Sequence, residues 1–365
     1  MNNVCMLPFM ALEARPNGDA APCCLYNGSV GNFNDNSFEN IWHSDQMMTL
    51  RYQFMNGERP VGCQKCWTVE DSGGESKRQV SDRTFNFTPT TIVPNAPIYY
   101  DLKLGTVCNL TCITCSSASS FKWMEDEEKI YGKPFHNFKS FWIDENSSFW
   151  KHIEKNLKDV KAFDFSGGEP FLIKKHFDIL ERCVHEGVAK NIRLHYNTNG
   201  TVTPTQKMLD IWQEFGYVDI MFSIDGIKEK FEYMRYPAKW NDWITNFNIV
   251  RNYNSLNVGL CYTVSIFNFY DTPEFIQWCK DEGFNNQPYL NLLHYPEWCS
   301  IQAIPPDLYP MYIDKLKGDE YVPLLNTMQA RYNGMYQEFL EKTSAIDKVR
   351  NNSYTNIFKD VPKWR

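Results

Sequence analysis

The chain has 365 residues, 43% of them hydrophobic, and a formal charge of −7. That length suffices for one large core with a small appended domain, and the composition excludes a disordered chain. The acidic balance argues against a nucleic-acid-binding surface, and no run approaches the ~18 apolar residues that would span a membrane. The N-terminus MNNVCMLPFM lacks the basic stretch, apolar core and cleavage site of a signal peptide, so the expected compartment is the cytoplasm. Thiols stay reduced there, and clustered cysteines more often bind metal than form disulfides.

Residues 1–70 are rich in turn formers, such as Arg15-Pro16-Asn17-Gly18-Asp19, and show one plausible helix from Phe38 to about Met55. So loop-rich a domain buries little apolar area and is expected to need a metal. Residues 71–97 read as a linker. From 98 to about 300 short β-rich runs alternate with helical patterns. The strand candidates are Ile98–Leu104, Ala162–Phe165, Ile192–Tyr196, Val218–Ile224, Gly259–Ile266 and Pro288–Leu293. Helices are expected near 117–132, 171–187, 204–215, 241–254 and 272–282, and in a C-terminal extension (301–365) at 306–317 and 321–342, followed by a polar tail. Such alternation predicts an α/β fold, a partial (β/α)6 TIM-like barrel, with chemistry at the C-terminal ends of the strands.

The first barrel strand is followed by Cys108-Asn-Leu-Thr-Cys112-Ile-Thr-Cys115. Three thiolates on one loop suit three irons of a cubane cluster and leave the fourth open; a zinc site with a distant fourth ligand is the alternative. The loop resembles the C-x3-C-x2-C signature of the radical S-adenosylmethionine (SAM) superfamily. Ser166-Gly167-Gly168-Glu169-Pro170 is similar to that family's Gly-Gly-Glu-Pro element. The resemblance implies that a [4Fe–4S] cluster binds SAM, and that Gly167, Gly168 and Glu169 hold its methionine amino group. It also implies that Thr198, Asn199, Ser223 and Asp225 face cofactor or substrate and that Arg235 pairs the cofactor carboxylate. Thr114 stands where many relatives carry an aromatic residue before the third cysteine, so stacking on adenine by that side chain is lost.

A second set comprises Cys5, Cys23, Cys63 and Cys66, enough thiolates to saturate either zinc or a cubane. The C-x12-G-x4-C spacing, Gly31-Asn-Phe, Glu39-Asn-Ile-Trp42 and the closing C-x2-C-W resemble the SPASM and twitch domains of the same superfamily, which implies an auxiliary [4Fe–4S] cluster. Cys24 adjoins Cys23 and competes with it as ligand. Gly73-Gly74-Glu75-Ser76-Lys77-Arg78-Gln79 is similar to twitch-containing radical proteins with an N-terminal cluster segment.

The resemblance implies an enzyme that cleaves SAM reductively to a 5′-deoxyadenosyl radical and takes a hydrogen atom from a substrate. A flavodoxin or ferredoxin would supply electrons. A peptide or protein side chain is the first choice of substrate; a small molecule, carbohydrate or nucleotide is the second. A zinc-binding scaffold is the reading from another class. Tyr196, Asn197, Thr263, Asn291 and His294 are candidates for the substrate wall, and Cys299 for a hydrogen-atom donor; Cys183 and Cys279 read as buried hydrophobes.

Overall fold

The structure, a computed structural model, describes residues 3–71, 73–85, 87–90, 93–136, 147–284 and 287–362. Its strands are β1 (Ala11–Ala14), β2 (Asp19–Ala21), β3 (Gly31–Asn32), β4 (Tyr99–Lys103), β5 (Ala162–Ser166), β6 (Arg193–Thr198), β7 (Tyr217–Ser223), β8 (Asn257–Val264) and β9 (Tyr289–Leu292). They form one sheet in the order β3-β2-β1-β4-β5-β6-β7-β8-β9, open rather than closed on itself. The pairs β1·β4, β4·β5, β5·β6 and β8·β9 are parallel. All six strands expected between 98 and 300 form, and the α/β class with a partial barrel holds. Among the described residues no helix is long and apolar enough to cross a membrane. The chain divides into two compact units: Met1–Val107 with Phe138–Tyr196 and Thr205–Asp219, and Cys108–Asn137 with Asn197–Pro204 and Ile220–Arg365.

In the first unit the alternation along β5 and β6 sorts side chains to two faces. Phe163, Phe165, Leu194 and Tyr196 are buried on one, where Phe165 stacks on Tyr196 and both meet His176. Asp164 and His195 point to the other and are paired in register. The N-terminal segment is more regular than its turn formers suggest, because β1 joins β4 while β2 and β3 fold back antiparallel. Gly18 makes that return possible. Its φ is +89°, and an added Cβ would lie 2.5 Å from Asn34 Nδ2. This is the physical content of the x12-G-x4 spacing, since the turn carries the chain along β2 to Cys23.

The helix expected from Phe38 to Met55 is two, Phe38–Trp42 and Asp45–Met55. Ser44 interrupts it by accepting from Met47 N at 3.3 Å, which caps the second helix. Arg51 ties the pieces together, donating to Pro8 O and Trp42 O at 2.7 and 2.9 Å. The expected linker contains a helix, Lys77–Phe85. Its start is a reciprocal cap: Ser76 N donates to Gln79 Oε1 at 3.0 Å, and Gln79 N to Ser76 Oγ at 3.3 Å.

In the second unit Ile224 N donates to Cys261 O at 2.9 Å, and Cys261 pairs with Tyr289 in the β8·β9 ladder. The helix expected over 321–342 is two, Val322–Ala330 and Tyr336–Arg350, separated by Asn333-Gly334. The tail is less polar than expected, with Tyr354 and Phe358 buried. Cys183 in the first unit and Cys279 in the second are buried, as hydrophobes would be.

Candidate cofactor sites

Cys5, Cys23, Cys63 and Cys66 line one small pocket, walled by Leu7, Leu25, Tyr26, Phe54, Trp67 and Arg78. Cys24 does not line it; burial pushes the Cys24 thiol up among the charges of Lys77, Asp101, Lys103 and Glu13. Burial, reinforced by the charges of neighbouring groups, also pushes Cys23 and Cys63 up to about 12. Burial raises Cys5 as well, and thiols so placed resist ionising unless a cation meets them. Among the described residues no three His, Cys, Asp or Glu side chains close tightly enough to hold a single ion. Four thiols on one pocket are the number that saturates a cubane cluster or a zinc. Arg78 secures the wall, with Nη2 2.7 Å from Glu70 Oε2 and Nη1 2.8 Å from Val4 O.

Cys108, Cys112 and Cys115 lie on a loop held at many points. Thr111 N and Ile113 N donate to Tyr236 O and Met234 O at 2.7 and 2.8 Å. Trp123 Nε1 donates to Cys112 O at 3.0 Å, and Arg350 Nη2 to Thr111 O at 2.7 Å. Burial pushes the Cys115 thiol up to about 12, with the Cys108 charge next in effect. Burial likewise raises Cys112, while the Arg235 charge opposes the rise. Arg235 Nη2 stands 2.9 Å from Asp225 Oδ2, and its Nε is buried without a hydrogen-bond partner. An orphaned cationic donor in the field of a thiol suits an anionic group that completes the site.

Of the residues around these thiols, Asn109 and Thr201 were not singled out by sequence reasoning, whereas Asn199, Thr198, Asp225 and Ser223 were. Asn199 Nδ2 lies 3.8 Å from Cys108 Sγ and donates to Asn109 Oδ1 at 2.9 Å, while Asn109 donates to Thr201 Oγ1 at 2.7 Å. Thr198 Oγ1 accepts from Gly200 N at 3.1 Å, which shapes the same turn. Asp225 Oδ1 accepts from Thr263 N at 3.1 Å, so with Arg235 it braces the strand ends. Ser223, at the C-terminal end of β7, is half-buried.

The Gly167-Gly168-Glu169 turn belongs to the first unit. Gly168 has φ +59°, and a Cβ there would lie 2.3 Å from the carbonyl oxygen of Val107, the residue before Cys108. Glu169 N donates to that same oxygen at 2.7 Å. The buried Glu169 carboxylate accepts from Phe171 N at 3.0 Å, so one oxygen caps the turn that follows. Gly168→Ala should lower stability by at least about 1–3 kcal/mol through backbone strain alone, read as a lower midpoint in thermal unfolding. An unchanged midpoint would mean that the turn adapts.

Two of the substrate-wall and donor candidates lie elsewhere than expected. Tyr196 is fully buried among Phe165, Phe171, His176 and Trp212, on the face opposite Asp164 and His195. It is a core residue because strand alternation turns it that way. Cys299 is fully buried in a short turn, Glu297–Cys299, rather than open at a mouth. His294 is exposed.

The sequence matches the radical SAM superfamily over residues 102–279 and the SPASM iron–sulfur cluster-binding domain over residues 5–67. The chain carries a radical SAM domain and an SPASM domain. Its cofactors are [4Fe–4S] clusters and SAM, and the two thiol sets fit two clusters. No curated protein matches this radical SAM enzyme. Among solved structures it is similar to native anSMEcpe with bound AdoMet, at 18% identity and a TM-score of 0.42, over 64% of this chain and 63% of that one. It is also similar to Streptococcus suis SuiB bound to SAM, at 12% identity and a TM-score of 0.39, over 69% of this chain and 48% of that one. The chain thus spans less than two thirds of the length of these two proteins.

Proposed function

We propose that this radical SAM enzyme cleaves SAM reductively and uses the resulting 5′-deoxyadenosyl radical to take a hydrogen atom from a peptide or protein side chain. The observation that carries the reading is the loop of three thiols, Cys108, Cys112 and Cys115, fixed by main-chain bonds where the first barrel strand ends. A [4Fe–4S] cluster on three thiolates supplies an open iron and one electron, and SAM supplies the carbon–sulfur bond that breaks. The residues do the rest. Asn199 and Arg235 place a donor and a positive charge near the thiols. The Gly167–Glu169 main chain and the Glu169 carboxylate would receive the methionine ammonium, and Arg235 Nε its carboxylate. Cys5, Cys23, Cys63 and Cys66 would saturate the auxiliary cluster, leaving it to move electrons rather than bind SAM. The peptide reading rests on the SPASM resemblance, since auxiliary clusters of that kind often accompany peptide and protein modification. None of the twelve cysteines forms a disulfide, and the reading places the enzyme in the cytoplasm with an electron donor such as flavodoxin or ferredoxin.

The test uses reconstituted protein with a strong reductant under anaerobic conditions. 5′-Deoxyadenosine and methionine should form in equal amounts. Glu169→Ala should weaken SAM binding by on the order of 2–5 kcal/mol, the scale for removing one partner of a buried charge pair. Glu169→Gln keeps an acceptor for Phe171 N, so it should fold normally yet still bind SAM weakly. Calorimetry showing wild-type affinity in both variants would remove Glu169 from the site.

A further inference from the structure

The sheet has two edges, and they are built differently. β3 forms one with two residues, Gly31–Asn32, too short to template a further strand. β9 forms the other with four, Tyr289–Leu292, and carries neither a charge nor a proline within it. Its register pairs Tyr289, Leu290, Asn291 and Leu292 with Cys261, Tyr262, Thr263 and Val264 of β8. Leu293 N donates to Val264 O at 3.0 Å. Parallel strands bond a neighbour through every second residue, so Tyr289, Asn291 and Leu293 address β8. The N–H and C=O groups of Leu290 and Leu292 therefore point the other way. Among the described residues no hydrogen bond takes up those four groups.

The strand is also open to solvent. Tyr289 is 60% exposed, and Leu290, Asn291 and Leu292 are half-buried. Leu290 lines a notch with Ile276 and Cys279 of the helix Thr272–Asp281 and with Phe284. Lys280 and Glu320 give that notch one charge of each sign, so it is not built for an ion. Two donors and two acceptors set at the strand repeat are complemented together by an extended backbone, whereas a side chain or a compact molecule reaches only one or two of them. The apolar notch beside Leu290 suits a side chain that such a backbone sends to that face.

We propose that β9 is a docking edge for the substrate peptide, which adds to the sheet as an extended strand. Its N–H groups donate to Leu290 O and Leu292 O, its C=O groups accept from Leu290 N and Leu292 N, and one apolar side chain enters the notch. The site rests on the peptide reading and deepens it, since it names how the peptide is held. β9 is parallel to β8, so a peptide laid along it leads to the C-terminal ends of the strands, where such folds carry their chemistry.

The experiment titrates the reconstituted protein, without reductant, with the fluorescein-labelled pentapeptide Thr-Val-Thr-Val-Thr and with its fully N-methylated form, and follows fluorescence anisotropy. The first should saturate, and the second should bind at least roughly tenfold more weakly, the scale of two lost hydrogen bonds. Leu292→Pro deletes an outward N–H that the sheet does not use, and proline is tolerated on an edge strand, so this variant should fold and bind the pentapeptide roughly fivefold more weakly. Leu292→Ala trims the same side chain but keeps the N–H, and should bind within about twofold of wild type. If the proline variant does not fold, hydrogen exchange in the wild-type protein decides: the pentapeptide should slow the Leu290 and Leu292 amides and leave Asn291 unchanged. Equal binding of the two peptides, no saturable binding, or protection at amides other than Leu290 and Leu292 overturns the site. So does a dimer of the protein that Leu292→Pro dissociates, since a second copy would then hold the edge. Binding is read without SAM cleavage, so its loss sinks this edge and leaves the peptide reading to be judged by turnover.

Discussion

Replacing Cys108, Cys112 and Cys115 together with alanine should reduce 5′-deoxyadenosine formation to background and remove about half of the bound iron. Two cubanes correspond to on the order of eight irons and eight sulfides per chain. The triple variant should keep about four of each, because Cys5, Cys23, Cys63 and Cys66 line a separate cavity. The loop itself should persist. Its anchors are main-chain groups of Thr111, Ile113 and Cys112 bonded to Tyr236, Met234 and Trp123, none of which requires a thiol. Iron and sulfide analysis after anaerobic reconstitution, with chromatography of the reaction products, reads both effects. A variant that keeps all its iron, or a wild-type protein that holds zinc instead, would end the assignment of these cysteines.

The parts of this protein legible in the sequence are those whose chemistry or period is local. Along β5, Phe163 and Phe165 alternate with Asp164, and one strand carries enough repeats to show the period. β1, β2 and β3 hold four, three and two residues, too few for any period, and Pro16, Asn17 and Gly18 dominate the composition there. Helix Lys77–Phe85 hid for a different reason. Most of its residues are polar, so no apolar stripe stood out, although Ser76 and Gln79 spell a capping signal three residues apart. The cysteines were readable because thiolate chemistry needs that residue type at short spacing. The pairings of Asn199 with Cys108 and of Arg235 with Asp225 were not, since each joins residues that the sequence alone does not bring together. Tyr196 shows the same limit, because one step of alternation separates a wall residue from a core residue.

Cys63→Ala combined with Cys66→Ala should leave 5′-deoxyadenosine formation largely intact while substrate turnover falls to near zero. Four thiols on one cavity would saturate a cubane and leave no iron for SAM, so the first bond cleavage would not call on this cluster. Later electron movement from the substrate radical would, which is why product should vanish first. Stability should fall too. Cys5 belongs to the apolar cluster of Met6, Leu7, Phe9, Met10, Leu50, Phe54 and Trp67, with Cys23 and Cys63 packed against it, so losing the cluster loosens a core. That core continues through Tyr99 and Ala162 on β4 and β5, which should keep the double variant folded. A paired assay of 5′-deoxyadenosine and product, with circular dichroism as a check on folding, separates the roles. Full product turnover from the folded variant would show that the N-terminal cluster is dispensable. Loss of SAM cleavage with the first cluster still loaded would show instead that electrons enter through the N-terminal cluster.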